Sequence, residues 1–419
     1  MVIRRRTSRG RAGPSPFVIS ALAWSLAACE SAPDRTSTAA VRDSSGVQIV
    51  ENTGPLWPEG EGWRLADSAS LDIGTFEGEP EYQLYRAFSA IKLPDGRIVV
   101  ANNGTHELRF YDSSGTFLSS AGREGEGPGE FRGLQFLHSY AGDSLLTYDF
   151  RNRRFSIFAL DGSFVRSFTP APMTGAVAFP TYVAPFTDGS ILLGLESPTT
   201  AEKLKSGLRR EPVVFLHCDR DGALIDTLGR HPGTEWFIQT QGDGAPSMGI
   251  IIGQRVMGLQ AQSVAYQEGF YFGAGDSYEI SYYNIEGVLK RLVRLRRPNR
   301  SVTADDIERY RQRRLESVDD ENQRIMMERR LAAMPFPETL PAFDRFVVDS
   351  DGNLWVEEYR LPGDDKPRWT VFDREGQMLG VVEAPERFRI YEIGTDFVLG
   401  RWTDELDIEH IRLYRLEKT

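Results

Sequence analysis

Short β-patterned segments, each preceded by a glycine-containing turn, recur along most of the chain. Runs such as Arg97-Ile-Val-Val-Ala101 and Ser190-Ile-Leu-Leu-Gly194 are rich in apolar residues and follow turn residues directly, which is typical of β-strands. Six turns of this kind contain Gly96, Gly142, Gly189, Gly269, Gly352 and Gly394. Asp-Gly and similar pairs supply the positive φ that tight hairpins require. The pattern therefore predicts six β-hairpins.

A second set of turns lies further along, each time after another strand. These turns contain Gly115, Gly162, Gly222, Gly287 and Gly376. Each unit therefore consists of strand, turn, strand, strand, turn and strand. The first turns are 46, 47 and 42 residues apart in the compact units, and the two longer intervals of 80 and 83 residues contain insertions. A four-stranded unit of ~40–50 residues repeated along the chain predicts an all-β fold, a six-bladed β-propeller.

The two ends of the repeat predict how the ring closes. Residues 68–74 end like an outer strand, although no full unit precedes them. The last unit offers only three clear strands, at 388–392, 397–402 and 408–416. We expect the N-terminal segment to supply the missing outer strand, because this pairing would cover two otherwise open sheet edges.

A glycine-rich loop connects successive units. Residues 74–82 resemble residues 122–131, and residues 229–236 are a shorter relative. We expect the aromatic residue that ends each loop (Tyr82, Phe131 or Trp236) to fill the space between neighbouring sheets. No helix follows these loops and they contain acidic residues, so they do not suit a phosphate.

The repeat pattern and the loop Gly125-Glu-Gly-Pro-Gly-Glu-Phe131 resemble the six-bladed propellers of the NHL and TolB-like group, which includes bacterial lipoproteins. The resemblance covers about residues 46–416 and includes no catalytic motif. Members of the group include binding scaffolds, lactonases, lyases and peptidase-gating domains. The resemblance therefore implies the fold and leaves the chemistry open.

Residues 302–334 interrupt the β pattern. Thr303 and Asp306 have the spacing of a helix capping box, and Ile307 and Tyr310 begin an apolar face at helical spacing. Pro335 ends the segment. The pattern predicts one or two helices across a propeller face, either as a packing element or as a cover for a ligand or partner.

The N-terminus predicts export and lipid attachment. Five arginines precede an apolar run at residues 17–28, which is too short to span a bilayer but suits a signal peptide. Leu26-Ala27-Ala28-Cys29 resembles a lipobox, which implies lipidation of Cys29. A plain secretory signal with an incidental cysteine and twin-arginine export are the alternatives. Residues 1–28 are then the signal peptide, 29–45 a flexible tether and 46–419 the propeller.

Charge narrows the choice of partners. The 419 residues carry a formal net charge of −11, and without residues 1–28 they contain 44 basic and 60 acidic residues. Such a surface repels phosphate backbones, so nucleic acid is excluded as an expected partner. We expect the membrane to hold the protein through the lipid on Cys29. Glu30 follows that cysteine in place of the aspartate associated with inner-membrane retention, which favours the periplasmic side of the outer membrane.

Motifs for catalysis or metal binding are not evident in the linear sequence. The five histidines show no metal-ligand spacing, and no Gly-x-Ser-x-Gly motif occurs. Asp349 starts what resembles a calcium loop, but Arg360 occupies the twelfth place, so a plain turn is predicted. Cys218 lies in a predicted strand and is interpreted as a buried structural thiol. We predict no catalytic residue, metal or cofactor.

The first strand of each unit should line the central channel. Residues near those strand starts are Tyr82, Arg86, Phe131, Arg132, Tyr182, Asp344, Arg345 and Arg387. We take a charged subset of them as candidate ligand-binding residues at the channel mouth, namely Arg86, Arg132, Asp344, Arg345 and Arg387. Several arginines at the mouth of an acidic protein would attract a small anionic ligand. The alternative is that they pair with acids on the rim.

Three hypotheses of function remain. The first is a lipid-anchored, non-enzymatic binding or scaffold protein. The second is a metal-dependent hydrolase or lactonase, which requires Glu, Asp, Asn or His residues clustered in the channel. The third is an interaction module that docks an envelope protein through residues 302–334.

Overall fold

Thirty strands and two α-helices form in the part of the chain that the computed structural model describes, which is residues 38–173, 180–196, 206–240, 250–361, 363 and 366–418. Four strands precede the first complete unit: β1 Ala39–Ser44, β2 Val47–Asn52, β3 Arg64–Leu65 and β4 Leu71–Ile73. The first unit contains β5 Ala87–Lys92, β6 Ile98–Asn102, β7 Glu107–Tyr111 and β8 Phe117–Ala121. The second contains β9 Leu134–Tyr140, β10 Ser144–Asp149, β11 Arg154–Ala159 and β12 Phe164–Phe168.

The third unit includes an additional small sheet. Its region contains β13 Pro180–Pro185, β14 Ile191–Glu196, β15 Gly207–Arg209, β16 Pro212–Cys218, β17 Leu224–Pro232, β18 Trp236–Thr240 and β19 Ile250–Gln254. Strands β13, β14, β16 and β17 form the blade, whereas β15, β18 and β19 form a separate three-stranded sheet.

Two helices separate the fourth and fifth units. The fourth contains β20 Gln262–Tyr266, β21 Gly269–Gly273, β22 Glu279–Asn284 and β23 Leu289–Leu295. The helices are α1 Ala304–Glu316 and α2 Glu321–Ala333. The fifth unit contains β24 Arg345–Val348, β25 Leu354–Glu357, β26 Arg368–Phe372 and β27 Met378–Glu383. The last contains β28 Phe388–Ile393, β29 Phe397–Thr403 and β30 Glu409–Glu417.

The first strands of the six units contact one another in a closed ring. Within each unit, neighbouring strands pair antiparallel. Around the ring, β5 contacts β9, β9 contacts β13, β13 contacts β20, β20 contacts β24, β24 contacts β28, and β28 contacts β5. The fold is therefore a six-bladed β-propeller, as the turn pattern predicted, and each unit is one blade.

Aspartate side chains and glycines together form the turns of the second set. In the turn between β7 and β8, Asp112 Oδ1 accepts hydrogen bonds from the backbone N–H groups of Ser114 and Thr116, both at 2.9 Å. Gly115 has φ +87°. Asp219 and Asp373 make the same contacts in blades 3 and 5. These contacts explain why local sequence was enough to place the hairpins.

The N-terminal segment closes the ring as predicted. Strand β4 pairs with β30, with Leu71 opposite Leu413 and Ile73 opposite Ile411. Strand β3 pairs with the end of the same strand. Ile73 is 1% exposed and packs among residues of blades 1 and 6. This clasp therefore joins the two ends of the propeller through one hydrophobic cluster.

The structure places residues 39–44 of the predicted tether in an ordered strand. Strands β1 and β2 form a hairpin around Gly46, and β2 pairs in parallel with β23, so blade 4 gains two outer strands. Ile49 and Val50 are buried by this pairing. The small and polar composition of residues 30–45 had indicated a tether. Strand β1 was missed because it is mostly exposed and is held by backbone pairing with β2.

Two of the three connecting loops place their aromatic residues as expected. Phe131 is fully buried among residues of blades 1 and 2, and Tyr82 packs between blades 6 and 1. The expectation for Trp236 was wrong. Residues 229–232 extend β17, and Trp236 begins β18, where its Nε1 donates to Glu196 at 3.0 Å.

The insertion forms two helices and begins with the predicted capping box. Thr303 and Asp306 exchange hydrogen bonds, and the buried Asp306 carboxylate also pairs with Arg300 and Arg309 at 2.9 and 2.7 Å. Tyr310 packs against Phe336 in a cluster formed by connecting segments of blades 4 and 5. In the described residues, neither helix is long and apolar enough to cross a membrane.

Candidate functional site

A cavity of about 700 Å³ opens at the centre of the ring. Most of its lining comes from the first strands of blades 1, 2, 5 and 6. One side has three guanidinium groups, Arg345, Arg389 and Arg401, which we call the arginine wall. Another side has three phenylalanines, Phe88, Phe136 and Phe150, which we call the aromatic wall. A concave site of this size suits a small organic ligand.

Arg345 is held rigidly in the arginine wall. Its Nη2 donates to the buried Glu357 at 2.8 Å, and its Nη1 donates to the carbonyl of Ile390 on the neighbouring blade at 2.9 Å. Its guanidinium also lies over the Trp369 ring, 5.2 Å from the ring centroid, which is within the ~6 Å limit of a cation–π contact. These contacts fix the side chain before any ligand arrives.

Arg389 and Arg401 face each other across two paired strands. They are direct register partners in β28 and β29. Arg401 Nη1 pairs with Glu409 at 2.7 Å. Like charges directly opposite each other in a sheet destabilise it. Both side chains nevertheless line the central cavity.

Arg389 lacks a counter-ion among the described residues. No carboxylate there lies within ion-pair distance of its guanidinium, and no side-chain hydrogen bond holds it. The nearby charge of Arg345 and burial lower the pKa of Arg389 below its usual value. Arginine nevertheless stays protonated in proteins, so Arg389 brings to the cavity a positive charge that no ion pair among the described residues neutralises.

Asp344 lies beside the arginine wall. Burial is the largest cause that raises the pKa of its carboxyl, and the neighbouring Glu357 adds to the rise, whereas Arg345 and Arg389 oppose it. Among the described residues its carboxylate has no hydrogen bond or ion pair. Asp344 therefore contributes a negative charge that is only loosely tied to the arginines.

The predicted channel-mouth residues divide into two groups. Arg345 lines the cavity and Asp344 adjoins its arginines. The other three lie outside the cavity lining. Arg132 pairs with Glu126, Arg387 pairs with Asp407, and Arg86 lies over the Tyr85 ring at 5.1 Å.

Sequence reasoning missed Arg389 and Arg401. The search considered residues at the starts of first strands, whereas Arg389 is the second residue of β28 and Arg401 lies on a second strand. The signal available was a cationic residue between two apolar ones, Phe388 and Ile390, at the start of a predicted first strand. Tyr82 and Tyr182, also considered for the channel, accept backbone hydrogen bonds from Phe117 and Ala265 through their hydroxyl groups, at 2.9 and 2.6 Å.

The other candidate residues have structural surroundings. Cys218 is buried, and burial raises the pKa of its thiol to about 11, so the thiolate is scarce at neutral pH. Asp349 forms the predicted turn by accepting from the N–H groups of Asp351 and Asn353. In the described ranges no group of three or more His, Cys, Asp or Glu residues could hold a metal ion. Cys29 lies outside the described residues.

A second cavity, of about 450 Å³, lies beside blades 4 and 5. It is also lined by arginines, but these have acidic partners. Arg297 and Arg368 share Glu358, with contacts of 2.7 and 3.5 Å, and Arg300 pairs with Asp306. Unlike these arginines, Arg389 of the central cavity makes no ion pair among the described residues.

Comparisons with known proteins agree with the fold. A family model described as DUF5128, a 6-bladed beta-propeller, matches residues 80–174. No curated protein matches the chain. A member of the duf4221 family from Bacteroides vulgatus ATCC 8482 has a TM-score of 0.52 at 10% identity, covering 86% of this chain and 100% of that one. At this identity the likeness shows the fold alone.

Two further solved structures resemble the chain more weakly. A protein assigned as exported, from Bacteroides fragilis NCTC 9343, has a TM-score of 0.48 at 11% identity, covering 88% of this chain and 99% of its own. A gluconolactonase from Xanthomonas campestris has a TM-score of 0.36 at 15% identity, covering 85% and 99% of the two chains.

Proposed function

We propose that this propeller binds a small anionic ligand in its central cavity, with Arg389 as the principal contact. The uncompensated guanidinium of Arg389 is the observation that supports the proposal most directly. Arg345 is fixed beside it, and Arg401 lies opposite it in the sheet. Guanidinium groups bind carboxylate, sulfonate and phosphate groups through paired, charge-assisted hydrogen bonds.

The test is calorimetric titration of the purified protein with acetate, phosphate, citrate and phenylacetate at low ionic strength. We expect at least one of these anions to bind, and Arg389→Gln to weaken binding ~10–100-fold, because a charge-assisted pair contributes ~1.5–3 kcal/mol. Arg387→Gln is the matched control, since that arginine pairs with Asp407 outside the cavity lining. Equal affinity of Arg389→Gln and the unmodified protein, or no binding of any anion, would overturn the proposal.

Asp344 should oppose anion binding whenever its carboxyl group is ionised. Burial and the neighbouring Glu357 raise its pKa, and its carboxylate would repel a bound anion, so Asp344→Asn is expected to tighten binding of a sulfonate ~3–10-fold, given a like-charge repulsion of ~1 kcal/mol. Lowering the pH protonates Asp344 and should tighten sulfonate binding in the unmodified protein. The ring of His138, whose pKa burial lowers to about 4, stays neutral over most of this window. Titrations of both proteins between pH 7 and pH 5 check this. Glu392 on β28, whose pKa burial raises to about 7, titrates in the same window in both proteins, so the difference in pH dependence between them isolates Asp344.

We also propose that Cys29 is lipidated and that the propeller is held at the periplasmic side of the outer membrane. The apolar run at residues 17–28 and the small residues before the cysteine support this. Nine residues separate Cys29 from β1, which allows a reach of ~30 Å from the bilayer to the edge of blade 4. Labelling with an alkyne fatty acid should tag the chain and Cys29→Ser should abolish the tag. A tag that persists in Cys29→Ser would contradict lipidation of Cys29. Sedimentation of the protein with the inner membrane would contradict its location at the outer membrane.

The hypothesis of an interaction module that docks an envelope protein through residues 302–334 stays a prediction. Met326 on α2 is 52% exposed, which leaves apolar surface for a protein partner. Deleting the insertion should abolish capture of an envelope protein while leaving anion binding in the channel intact.

A further inference from the structure

The central cavity has two chemically different sides. The arginine wall comes from blades 5 and 6, whereas the aromatic wall comes from blades 1 and 2. A ligand that filled the cavity would therefore meet positive charge on one side and hydrocarbon on the other. Neither wall alone lines the whole cavity of about 700 Å³.

Phe88 is the unusual residue of the aromatic wall. It lies on the first strand of blade 1 and is 41% exposed. Exposing a large aromatic side chain to water costs free energy that burial against a ligand would recover. Because its side chain is not part of a packed core, its removal should leave the fold intact.

Phe136 and its neighbours make the aromatic wall rigid. The Phe136 ring stacks on Tyr148 and on His138, with centroid separations of 6.0 and 6.3 Å. Tyr148 is fully buried, so it supports Phe136 from behind. A preorganised apolar surface of this kind loses little conformational entropy when a ligand packs on it.

His138 adds a polar group to the aromatic side. Its Nε2 is buried and has no hydrogen-bond partner among the described residues. This ring nitrogen is therefore available for one hydrogen bond to a polar group of a ligand or to water.

We infer that the ligand is an amphipathic anion, with a carboxylate, sulfonate or phosphate head at the arginine wall and an aromatic or branched apolar body against Phe88 and Phe136. The inference rests on the proposed anion-binding function and adds the class of ligand. A small inorganic anion would satisfy Arg389 but would leave the aromatic wall in water. A neutral aromatic compound would cover the aromatic wall but would leave the charge of Arg389 uncompensated.

Three probes of graded chemistry test the inference by calorimetric titration. Phenylacetate has both parts, acetate has only the head, and benzyl alcohol has only the ring with a neutral group. We expect phenylacetate to bind ~10–100-fold more tightly than acetate, because a phenyl group contributes its apolar area to the interface. We expect benzyl alcohol to bind more weakly than phenylacetate by a similar factor.

A single substitution in each wall tests which part of the ligand that wall contacts. Phe88→Ala should reduce the preference for phenylacetate over acetate to ~3-fold or less while leaving acetate affinity unchanged. Phe76→Ala is the matched control, since Phe76 is 67% exposed and lies in the loop before blade 1. Arg389→Gln should weaken acetate and phenylacetate by the same factor.

The possible results distinguish an error in the class of ligand from an error in the proposed anion binding. Equal affinities for acetate and phenylacetate would overturn the inference and keep the anion site. Benzyl alcohol binding as tightly as phenylacetate would also overturn it, because the cavity would then be an apolar site. If no anion binds the unmodified protein, both fail together.

Discussion

Replacing Ile73 with aspartate is expected to lower the free energy of unfolding by ~5 kcal/mol or more. Ile73 is 1% exposed, and it packs in the cluster that joins the first blade to the last. Deleting a buried isoleucine side chain costs ~2–5 kcal/mol, and a carboxylate placed there also loses its hydration. Urea denaturation followed by tryptophan fluorescence measures the change.

The neighbouring loop provides a matched control for this substitution. Phe76 is 67% exposed and lies three residues further along the chain, so Phe76→Asp introduces the same charge without burying it. We expect the Phe76 variant to remain within ~0.5 kcal/mol of the unmodified protein. If Ile73→Asp does not fold, Ile73→Ala keeps the test available with an expected loss of ~3 kcal/mol. Equal stability of the Ile73 and Phe76 variants would show that the clasp does not hold the ring closed.

Replacing Asn52 with leucine is the second change with a large expected effect. Asn52 is fully buried at the end of β2. Its Nδ2 donates to the carbonyls of Arg294 and Gly376 at 3.1 and 2.9 Å, and its Oδ1 accepts from the N–H of Met378 at 2.8 Å. One amide thus links the N-terminal hairpin to blades 4 and 5. Leaving buried polar groups without partners costs ~1–3 kcal/mol each, so a loss of ~3–5 kcal/mol is expected.

Thr53→Val tests whether burial is the cause. Thr53 is the next residue, and its hydroxyl donates to the carbonyl of Thr38 at 3.1 Å in an exposed setting. We expect that variant to lose less than ~1 kcal/mol, because water can replace the exposed contact. Hydrogen exchange of the Met378 amide should accelerate in Asn52→Leu and not in Thr53→Val. Similar losses in both variants would contradict the proposed role of Asn52.

The glycine-rich connecting loops are held in place by arginine side chains that come from strands further along the chain. Arg109 on β7 donates to the carbonyls of Pro80, Glu81 and Gln83 at 2.9 to 3.1 Å. Arg154 on β11 similarly donates to carbonyls in the next loop, including those of Glu126 and Glu130. The glycine-rich loops could be recognised from sequence, but the arginines that hold them could not, because each comes from the third strand of the blade that follows.

The candidate site was predictable only in part. Arg345 was expected at the channel because it starts a first strand, and it lines the cavity. Arg389 and Arg401 were not expected there. Their proximity depends on the register between β28 and β29, which has a shift between Ile390 and Glu392. Hydrophobic alternation predicts that two strands pair, but it does not reveal an irregularity that changes which residues face each other.

The sequence by itself determined the blade count, the hairpin positions and the closure of the ring through β4, because turn chemistry and strand alternation act within a few residues of each other. It did not determine that residues 39–44 form β1, because that strand depends on backbone pairing within a hairpin held against blade 4. The sequence likewise did not determine the position of Trp236, because β17 continues through Pro232 and takes up the residues that were expected to form a connecting loop. Only the tertiary structure decided that Arg389 has no counter-ion among the described residues. Ion pairs form between side chains from different blades and strands, and their distances are set by packing across the ring rather than by position along the chain.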